Sequence, residues 1–219
     1  MRTGAHSSMM RALPLLLPLL LGLAPACADP TSVSLFSLSY PTSFGIICQN
    51  KGTDGIYVPV AVSECKAGDV STQRLLAVVA NGPTGDVGFI DLTSGDALDT
   101  NRMIPGYTRL HLGGYLSELA INPSSEQAYV LDTAGARLVV IEPATLEWSD
   151  IELPFVPGKL LVTKAGSELL LTAPTTGQIG RFVLDEAGTP GELETFDIGG
   201  SPNALATNED GSLLAVAHF

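Results

Sequence analysis

The sequence is poor in charged residues and in the residue types that usually carry catalysis. Only 16% of its 219 residues are charged, and it has three histidines, three cysteines and one tryptophan. The 11 basic residues are outnumbered by 23 acidic ones, which gives a formal net charge of −12. Such a surface repels nucleic-acid phosphates and anionic lipid headgroups, so we expect neither as a partner. The hydrophobic content of 45% is ample for a packed core.

Short catalytic motifs are missing as well. The chain has no Gly-x-Ser-x-Gly elbow, HExxH helix, glycine-rich phosphate loop or CxxCH haem site. Acyl transfer, zinc hydrolysis, nucleotide chemistry and haem chemistry therefore lack a motif. We predict that the chain has no catalytic residue, no metal site and no cofactor.

Residues 1–26 have the composition of a secretory signal peptide. Arg2 and Arg11 supply basic charge, an apolar stretch of 12 residues covers 12–23, and small residues follow. A membrane-spanning helix needs about 20 apolar residues. Because this stretch is shorter and contains Pro14 and Pro18, we predict an export signal rather than a membrane span.

Two cleavage sites are open at the end of this signal. Residues 23–27 resemble a bacterial lipobox, with Ala24 where the pattern prefers Leu, and the resemblance implies cleavage before Cys27 and lipidation of that cysteine. Alternatively, small residues at 26 and 28 allow ordinary cleavage after Ala28. The first scheme predicts a lipoprotein on the periplasmic side of the outer membrane or on the cell surface. The second predicts a protein secreted to the periplasm.

The other two cysteines, Cys48 and Cys65, should form a disulfide because disulfides persist outside the cytosol. In the chain-entropy description, a bridge over a loop of this length stabilises the fold by about 3 kcal/mol. We treat residues 27–72, which are rich in Ser, Thr, Gly and Pro, as an irregular N-terminal segment pinned by this bridge.

An internal repeat is the strongest signal in the sequence. Three segments align without gaps, with spacings of 41 and then 45 residues in every column. The columns include Leu116, Pro157 and Pro202; Ser125, Gly166 and Gly211; and Val130, Leu171 and Val216. A repeat of this length corresponds to one four-stranded blade of a β-propeller.

Short apolar runs bounded by turn residues predict the strands of each repeat. First strands are predicted at 118–121, 159–162 and 204–206, and second strands at 127–131, 168–172 and 213–217. Third strands are predicted at 137–142 and 179–185, and fourth strands at 149–153 and 194–198. An earlier, divergent unit contains segments 74–81 and 85–95, followed by a predicted surface loop at 96–112. The predicted fold class is therefore all-β, with antiparallel four-stranded propeller blades over residues 73–219.

These motifs resemble the YVTN-type propellers, the group that includes the lactonase-like propellers. The resemblance lies in residues 80–81, 87–92, 198–202 and 208–217 and covers roughly residues 73–219. It implies a ring of about seven blades, of which this chain holds about three and the start of another. We therefore expect the chain to be a C-terminally incomplete part of a longer protein, with closure by oligomerisation as the alternative.

Two functions are compatible with this resemblance. The first is a binding or scaffold module that recognises a protein or glycan through its blade loops. The second is a lactonase-like hydrolase, for which segment 184–188 (LDEAG) is suggestive and for which Glu118, Arg137 and Arg181 are the candidate charged groups. A quinone-dependent dehydrogenase would need tryptophan docking repeats, and Trp148 is the only tryptophan.

The remaining polar candidates have a structural interpretation. We expect His111 and His218 to be structural or surface residues, while His6 leaves with the signal peptide. Four aspartates could suggest a calcium site, but they lack the bidentate Glu and the ligand order of a calcium loop, so we interpret them as turn-forming residues. These are Asp86, Asp91, Asp96 and Asp99.

Overall fold

The computed structural model describes residues 39–55, 57–60, 62–65, 71–101, 103–208 and 211–219. Within these residues the chain forms fifteen β-strands in four antiparallel sheets, together with one short 3-10 helix at Val62–Glu64. None of the described residues belongs to a helix long and apolar enough to cross a bilayer. The predicted leader and Cys27 lie outside the described residues.

The first sheet has the order β2-β1-β3-β4-β5 and forms blade 1. Its strands are β1 (Pro41–Lys51), β2 (Tyr57–Val60), β3 (Gln73–Asn81), β4 (Asp86–Asp91) and β5 (Arg109–His111). The four strands β1, β3, β4 and β5 have the same succession as the strands of the later blades. Strand β2 pairs with the other edge of β1, over Cys48 to Lys51.

Blades 2 and 3 are regular four-stranded sheets, and a hairpin follows them. Blade 2 consists of β6 (Leu116–Ile121), β7 (Ala128–Asp132), β8 (Arg137–Glu142) and β9 (Glu147–Glu152). Blade 3 consists of β10 (Leu160–Val162), β11 (Glu168–Ala173), β12 (Gln178–Leu184) and β13 (Pro190–Asp197). The hairpin consists of β14 (Pro202–Thr207) and β15 (Leu214–His218).

The blades stack through apolar faces, as expected for strands with alternating apolar residues. Blade 1 and blade 2 share one buried cluster that includes Ile47, Phe89 and Ile141. Blade 2 and blade 3 share a second, which includes Leu131, Leu169 and Phe182. The first strands of successive sheets also contact one another, β1 with β6, β6 with β10 and β10 with β14. The predicted all-β fold of four-stranded antiparallel blades is confirmed.

Two parts of the sequence prediction for blade 1 were wrong. The segment treated as irregular contains β1, the first strand of the blade, whose residues 46–48 form a short apolar run. The segment treated as a surface loop at 96–112 contains β5, which pairs with β4 over Asp86 to Gly88. Blade 1 is therefore a complete sheet, and the loop that extends it lies between its third and fourth strands.

The predicted disulfide is present between Cys48 and Cys65, with a Cα–Cα distance of 5.9 Å. Cys48 lies in β1 and is fully buried, while Cys65 directly follows the 3-10 helix. The bridge therefore ties the segment that carries β2 to the first strand of blade 1.

Candidate functional site

One edge of the blades gathers the turns between second and third strands together with the links that join successive blades. We call this edge the turn face. It contains the turns at 82–85, 133–136 and 174–177 and the links at 112–115, 153–158 and 198–201. In each blade, the residue before the third strand accepts backbone hydrogen bonds from the link that follows the fourth strand. These bonds run from Leu112 and Gly113 to Gly85, from Leu153 to Ala136, and from Ile198 and Gly199 to Gly177.

The residue that receives these bonds has a left-handed backbone in all three blades. Its φ angle is 64° in Gly85, 47° in Ala136 and 69° in Gly177. Glycine adopts this conformation without steric cost, whereas alanine does not. The same turn geometry therefore recurs in each blade and holds the turn face in a fixed shape.

In blade 1 the turn face carries a histidine held by a buried carboxylate. His111 Nδ1 lies 2.8 Å from Asp86 Oδ1, and the Arg109 guanidinium lies 3.5 Å from Asp86 Oδ2. The side chain of Asp86 is only 3% exposed, whereas that of His111 is 61% exposed. Asp86 thus fixes Nδ1 of the His111 imidazole, while most of the ring remains exposed to solvent. Asp86 is not the turn-forming residue that the sequence suggested, because its register partner in β5 is His111.

The first residue of the third strand, which is Asp86 in blade 1, is Arg137 in blade 2. Its guanidinium contacts Asp132 at 2.9 Å and Asp150 at 3.0 Å, and it donates a hydrogen bond to the carbonyl of Leu112 at 2.6 Å. Burial alone would raise the pKa of Asp132, but hydrogen bonds from the Gly135 N–H and from Arg137 hold the pKa below its usual range. Arg137 therefore joins two aspartates of its own blade to the link that leaves blade 1.

The three charged residues suggested for a hydrolase are not brought together. Glu118 in β6 forms an ion pair with Lys159, which precedes β10. Arg181 in β12 forms ion pairs with Glu168 and Glu194, its cross-strand neighbours. With Arg137 occupied by Asp132 and Asp150, each candidate has carboxylate or ammonium partners of its own.

Other sequence candidates have local structural roles. The Asp91 carboxylate accepts a hydrogen bond from Thr93 N, and the Asp99 carboxylate accepts hydrogen bonds from Asn101 N and Gly106 N. Both are turn-forming, as predicted. Asp96 lies in the same turn, where its carbonyl accepts a hydrogen bond from Asp91 N. Among the residues that the structure describes, no group of three His, Cys, Asp or Glu side chains is placed to hold a metal ion.

Segment 184–188 also has a packing role. It forms the turn after β12, and the carbonyl of Gly188 accepts a hydrogen bond from the buried hydroxyl of Tyr129 in blade 2. Gly188 has a φ of 82°, and a Cβ atom there would lie 2.2 Å from Ser125 Oγ. Close approach between blades 2 and 3 therefore accounts for this glycine.

Two tyrosines on the turn face were missed by the sequence reasoning. Tyr40 is 65% exposed and Tyr115 is 44% exposed. They flank Gly82, whose N–H donates to the Tyr40 carbonyl and at which a Cβ atom would lie 3.3 Å from the Tyr115 ring. The local signal was available, since Tyr115 directly follows two glycines in the link before a first strand. His218, the other histidine considered in the sequence analysis, is the last residue of β15 and lies on the same face beside Gly200.

A buried carboxyl group lies at the opposite end of the blades. Glu126 is in the turn between β6 and β7, is only 4% exposed, and has a left-handed φ of 60°. Its Oε1 accepts a hydrogen bond from Val60 N at 3.0 Å, and its Oε2 is also buried. Burial raises the pKa of Glu126 to about 8, hydrogen bonds from Val60 and Cys48 oppose the shift, and the charge of Glu142 adds to it.

Comparison with known proteins supports the fold alone. No protein-family profile matches the sequence, and no curated protein matches it. Similar solved structures include virginiamycin B lyase from Staphylococcus aureus, with 14% identity over 83% of this chain and 64% of that one, at a TM-score of 0.51. Hydrazine synthase from Kuenenia stuttgartiensis has 19% identity over 65% of this chain and 40% of that one, also at a TM-score of 0.51.

A protein from Lactobacillus plantarum is similar to the same extent, with 16% identity over 65% of this chain and 47% of that one at a TM-score of 0.51. The chain has a β-propeller fold. It spans 40% to 64% of the length of these three structures. At identities below 20% the likeness extends to the propeller fold and not to a reaction or ligand.

Proposed function

We propose that this chain is an exported, lipid-anchored β-propeller of the YVTN type that binds a protein or glycan ligand through the loops of the turn face and catalyses no reaction of its own. The separate ion pairs of Glu118, Arg137 and Arg181 carry this proposal. Acid–base and electrostatic catalysis require charged groups that converge on the reacting atoms. Charged groups that are held apart in their own pairs stabilise blades rather than a transition state.

The exposed tyrosines of the turn face support a binding role. A tyrosine offers a large apolar ring with a polar tip, which suits recognition of proteins and of sugar rings. Tyr40 and Tyr115 lie on either side of Gly82, at the start of the first strands of blades 1 and 2. Binding sites on such scaffolds commonly lie in loops that a rigid framework positions.

The binding proposal is tested with the native protein on an array of bacterial surface glycans, and with a photo-crosslinking residue at position 115 in the producing cells. We expect a retained glycan or a specific crosslinked protein, and a loss of at least tenfold in Tyr40→Ala and Tyr115→Ala. Trp148→Ala is the matched control, because Trp148 is 41% exposed but lies on the outer strand β9. Equal losses in all three variants would contradict binding through the turn face.

The lipid anchor rests on the sequence of residues 23–27. We expect the native protein to fractionate with membranes and its N-terminal peptide to carry a diacylglyceryl mass increment on Cys27. Cys27→Ala should release the protein into the soluble extracytoplasmic fraction. A soluble wild-type protein whose mature sequence begins at Asp29 would instead support cleavage after Ala28.

A lactonase-like hydrolase is the second candidate, and the Asp86–His111 pair is the observation that favours it. A buried carboxylate that fixes one nitrogen of an exposed imidazole is the arrangement of a general base. The native protein is assayed against a panel of lactones together with His111→Ala and His218→Ala. Hydrolysis that is lost only in His111→Ala would establish the hydrolase and overturn the non-catalytic proposal.

A further inference from the structure

The exposed tyrosines of the turn face occupy the same position in two consecutive blades. Tyr40 directly precedes β1, and Tyr115 directly precedes β6. The N–H of Tyr40 donates a hydrogen bond to Asn81 Oδ1, in the last residue of β3, at 3.0 Å. The N–H of Tyr115 donates the equivalent bond to Asp132 Oδ1, in the last residue of β7, at 2.9 Å. The two backbones are therefore fixed in the same way, one blade apart.

Gly82 lies between the two tyrosines. Its N–H donates to the Tyr40 carbonyl, and its own carbonyl accepts from the N–H of Leu116. A Cβ atom here would lie 2.6 Å from Thr42 Cγ2 and 3.3 Å from Tyr115 Cζ, so glycine leaves room for the Tyr115 ring. Because packed sheets lie about 10 Å apart, the two tyrosine backbones have about this separation. We call Tyr40, Gly82 and Tyr115 the tyrosine platform.

The aromatic residues of the platform are not required by the blade repeat. The position of Tyr115 is occupied by Val156 in blade 3 and by Ser201 before the hairpin. Both tyrosines also remain largely in solvent, with Tyr40 65% and Tyr115 44% exposed. Packing of the blades therefore does not account for them, and contact with a ligand does.

The surroundings of the platform suit a saccharide better than a protein. The exposed residues beside it include Pro83, Thr84 and Gly114, whereas a protein-binding hot spot usually has large side chains packed around its aromatic anchors. A tyrosine ring can stack against the C–H face of a sugar ring, and its hydroxyl can bond to the sugar's hydroxyl groups. Two such rings one blade apart can hold two units of one sugar chain.

The charges of this region favour a ligand without charge. Arg109 and His111 both contact the Asp86 carboxylate. Arg137 contacts Asp132 in the same way in blade 2. The chain as a whole has a formal net charge of −12, which repels anionic polysaccharides at long range. An acidic saccharide would have to compete with these carboxylates for the basic groups, whereas a neutral one would not.

We infer that the tyrosine platform binds a neutral, linear oligosaccharide, with one sugar ring stacked on Tyr40 and another on Tyr115. The inference rests on the proposed binding function and selects the glycan from its two alternatives. It also sets a length requirement. A disaccharide can occupy one tyrosine at a time, whereas a longer chain can occupy both and gains affinity from the second contact.

The test is calorimetric titration of the native protein with tetramers of glucose, mannose, N-acetylglucosamine and galacturonic acid, and with the matching dimers. We expect at least one neutral tetramer to bind at least about tenfold more tightly than its dimer, and more tightly than the galacturonic acid tetramer. Equal binding of the acidic tetramer, or no binding of any neutral tetramer, would overturn the inference. In the latter case a protein crosslinked through position 115 would leave the proposed binding function standing, and the absence of both would reject it too.

Variants of the two tyrosines test the platform itself. Tyr40→Ala and Tyr115→Ala should each reduce the affinity for the tetramer to about that for the dimer, while Tyr40→Phe keeps the stacking ring and most of the affinity. Val156→Ala is the matched control, because Val156 has the same repeat position in blade 3 and is 47% exposed. All four variants should keep the wild-type Tm. A preference for the tetramer that persists in both alanine variants, or is lost equally in Val156→Ala, would contradict the inference.

Discussion

The two interfaces between complete blades bury similar strands but differ in the polar contacts that accompany their apolar cores. Between blades 1 and 2 the core is formed by aliphatic side chains and Phe89, and outside it Val60 N donates a hydrogen bond to Glu126 of blade 2. The disulfide holds the segment that carries Val60 to the first strand of blade 1. Between blades 2 and 3 the core itself contains a polar group. There Tyr129 donates to the Gly188 carbonyl, and its hydroxyl accepts from Asn122.

The difference shows how a blade that departs from the repeat stays attached to its neighbour. Blade 1 has a short fourth strand of three residues and a long excursion before it, so it offers less repeated surface than blades 2 and 3. Blade 1 instead has a disulfide near the end of its first strand, and its Val60 N–H donates a hydrogen bond to the buried Glu126 carboxyl of blade 2. Blade 3 keeps the full repeat, and side-chain complementarity with a few buried hydrogen bonds is enough.

The largest effect should come from breaking the interface between blades 2 and 3. Phe182→Ala removes a ring that is 1% exposed and should lower the free energy of unfolding by about 3–5 kcal/mol. Val183→Ala, at a neighbouring side chain that is 49% exposed, should change it by less than about 0.5 kcal/mol. Urea unfolding of both variants measures the contrast, and similar midpoints would mean that the blades do not share this core.

Removing the disulfide tests how firmly blade 1 holds the segment that donates a hydrogen bond to Glu126 of blade 2. The double variant Cys48→Ala, Cys65→Ala opens a loop of 17 residues and should cost about 3 kcal/mol. Reductant should destabilise the wild type by a similar amount and leave the double variant unchanged. A wild type whose urea midpoint is insensitive to reductant would show that the bridge does not fasten blade 1.

Glu126 makes the same interface sensitive to pH. Its pKa is raised to about 8 in the folded protein, so the neutral carboxyl stabilises the fold below about pH 4.5 and this contribution is lost as pH rises to about 8. Across this pH range the wild type should lose unfolding free energy on the order of 3 kcal/mol, and Glu126→Gln should not show this loss. Unfolding measured from pH 5 to 8 checks this, with the exposed Glu186→Gln as control. A wild-type pH slope that persists in Glu126→Gln would contradict it.

The smallest effect should come from the hydroxyl of Tyr129. Tyr129→Phe leaves the Gly188 carbonyl and the Asn122 amide without this partner and should cost about 1–2 kcal/mol. Tyr115→Phe, on the exposed turn face, should have little effect on stability. If the two phenylalanine variants are equally stable, the phenol contributes nothing beyond its ring to the blade 2 to blade 3 interface.

Sequence periodicity was a good guide where the repeat is regular. The strands of blades 2 and 3 and of the hairpin lie within two residues of their predictions, except β13, which begins four residues before its prediction. Short apolar runs alternate there with turn residues. Blade 1 was misjudged at both ends for physical reasons. Strand β1 is flanked by Ser, Thr and Gly, and the three residues of β5 form a strand only through pairing with β4.

The candidate sites were harder to predict than the blades. Asp86 and His111 are 25 residues apart and meet only because a long excursion returns the chain to β4. Arg137 and Arg181 were identified as charged strand residues, but their carboxylate partners lie on neighbouring strands and depend on register. Glu126 gave no signal, since a glutamate in a polar turn is normally solvated. Its burial results from β2, which the sequence did not reveal.

The turn between β6 and β7 touches both neighbouring blades. Glu126 accepts a hydrogen bond from Val60 on the side of blade 1, and four residues earlier Asn122 donates one to the Gly166 carbonyl of blade 3. A force that pulls the segment carrying β2 away from blade 2 would thus reach blade 3 through residues 122–126, without first separating either apolar core. This turn therefore couples the ends of three consecutive blades, and a load on one of them spreads to the others as shear.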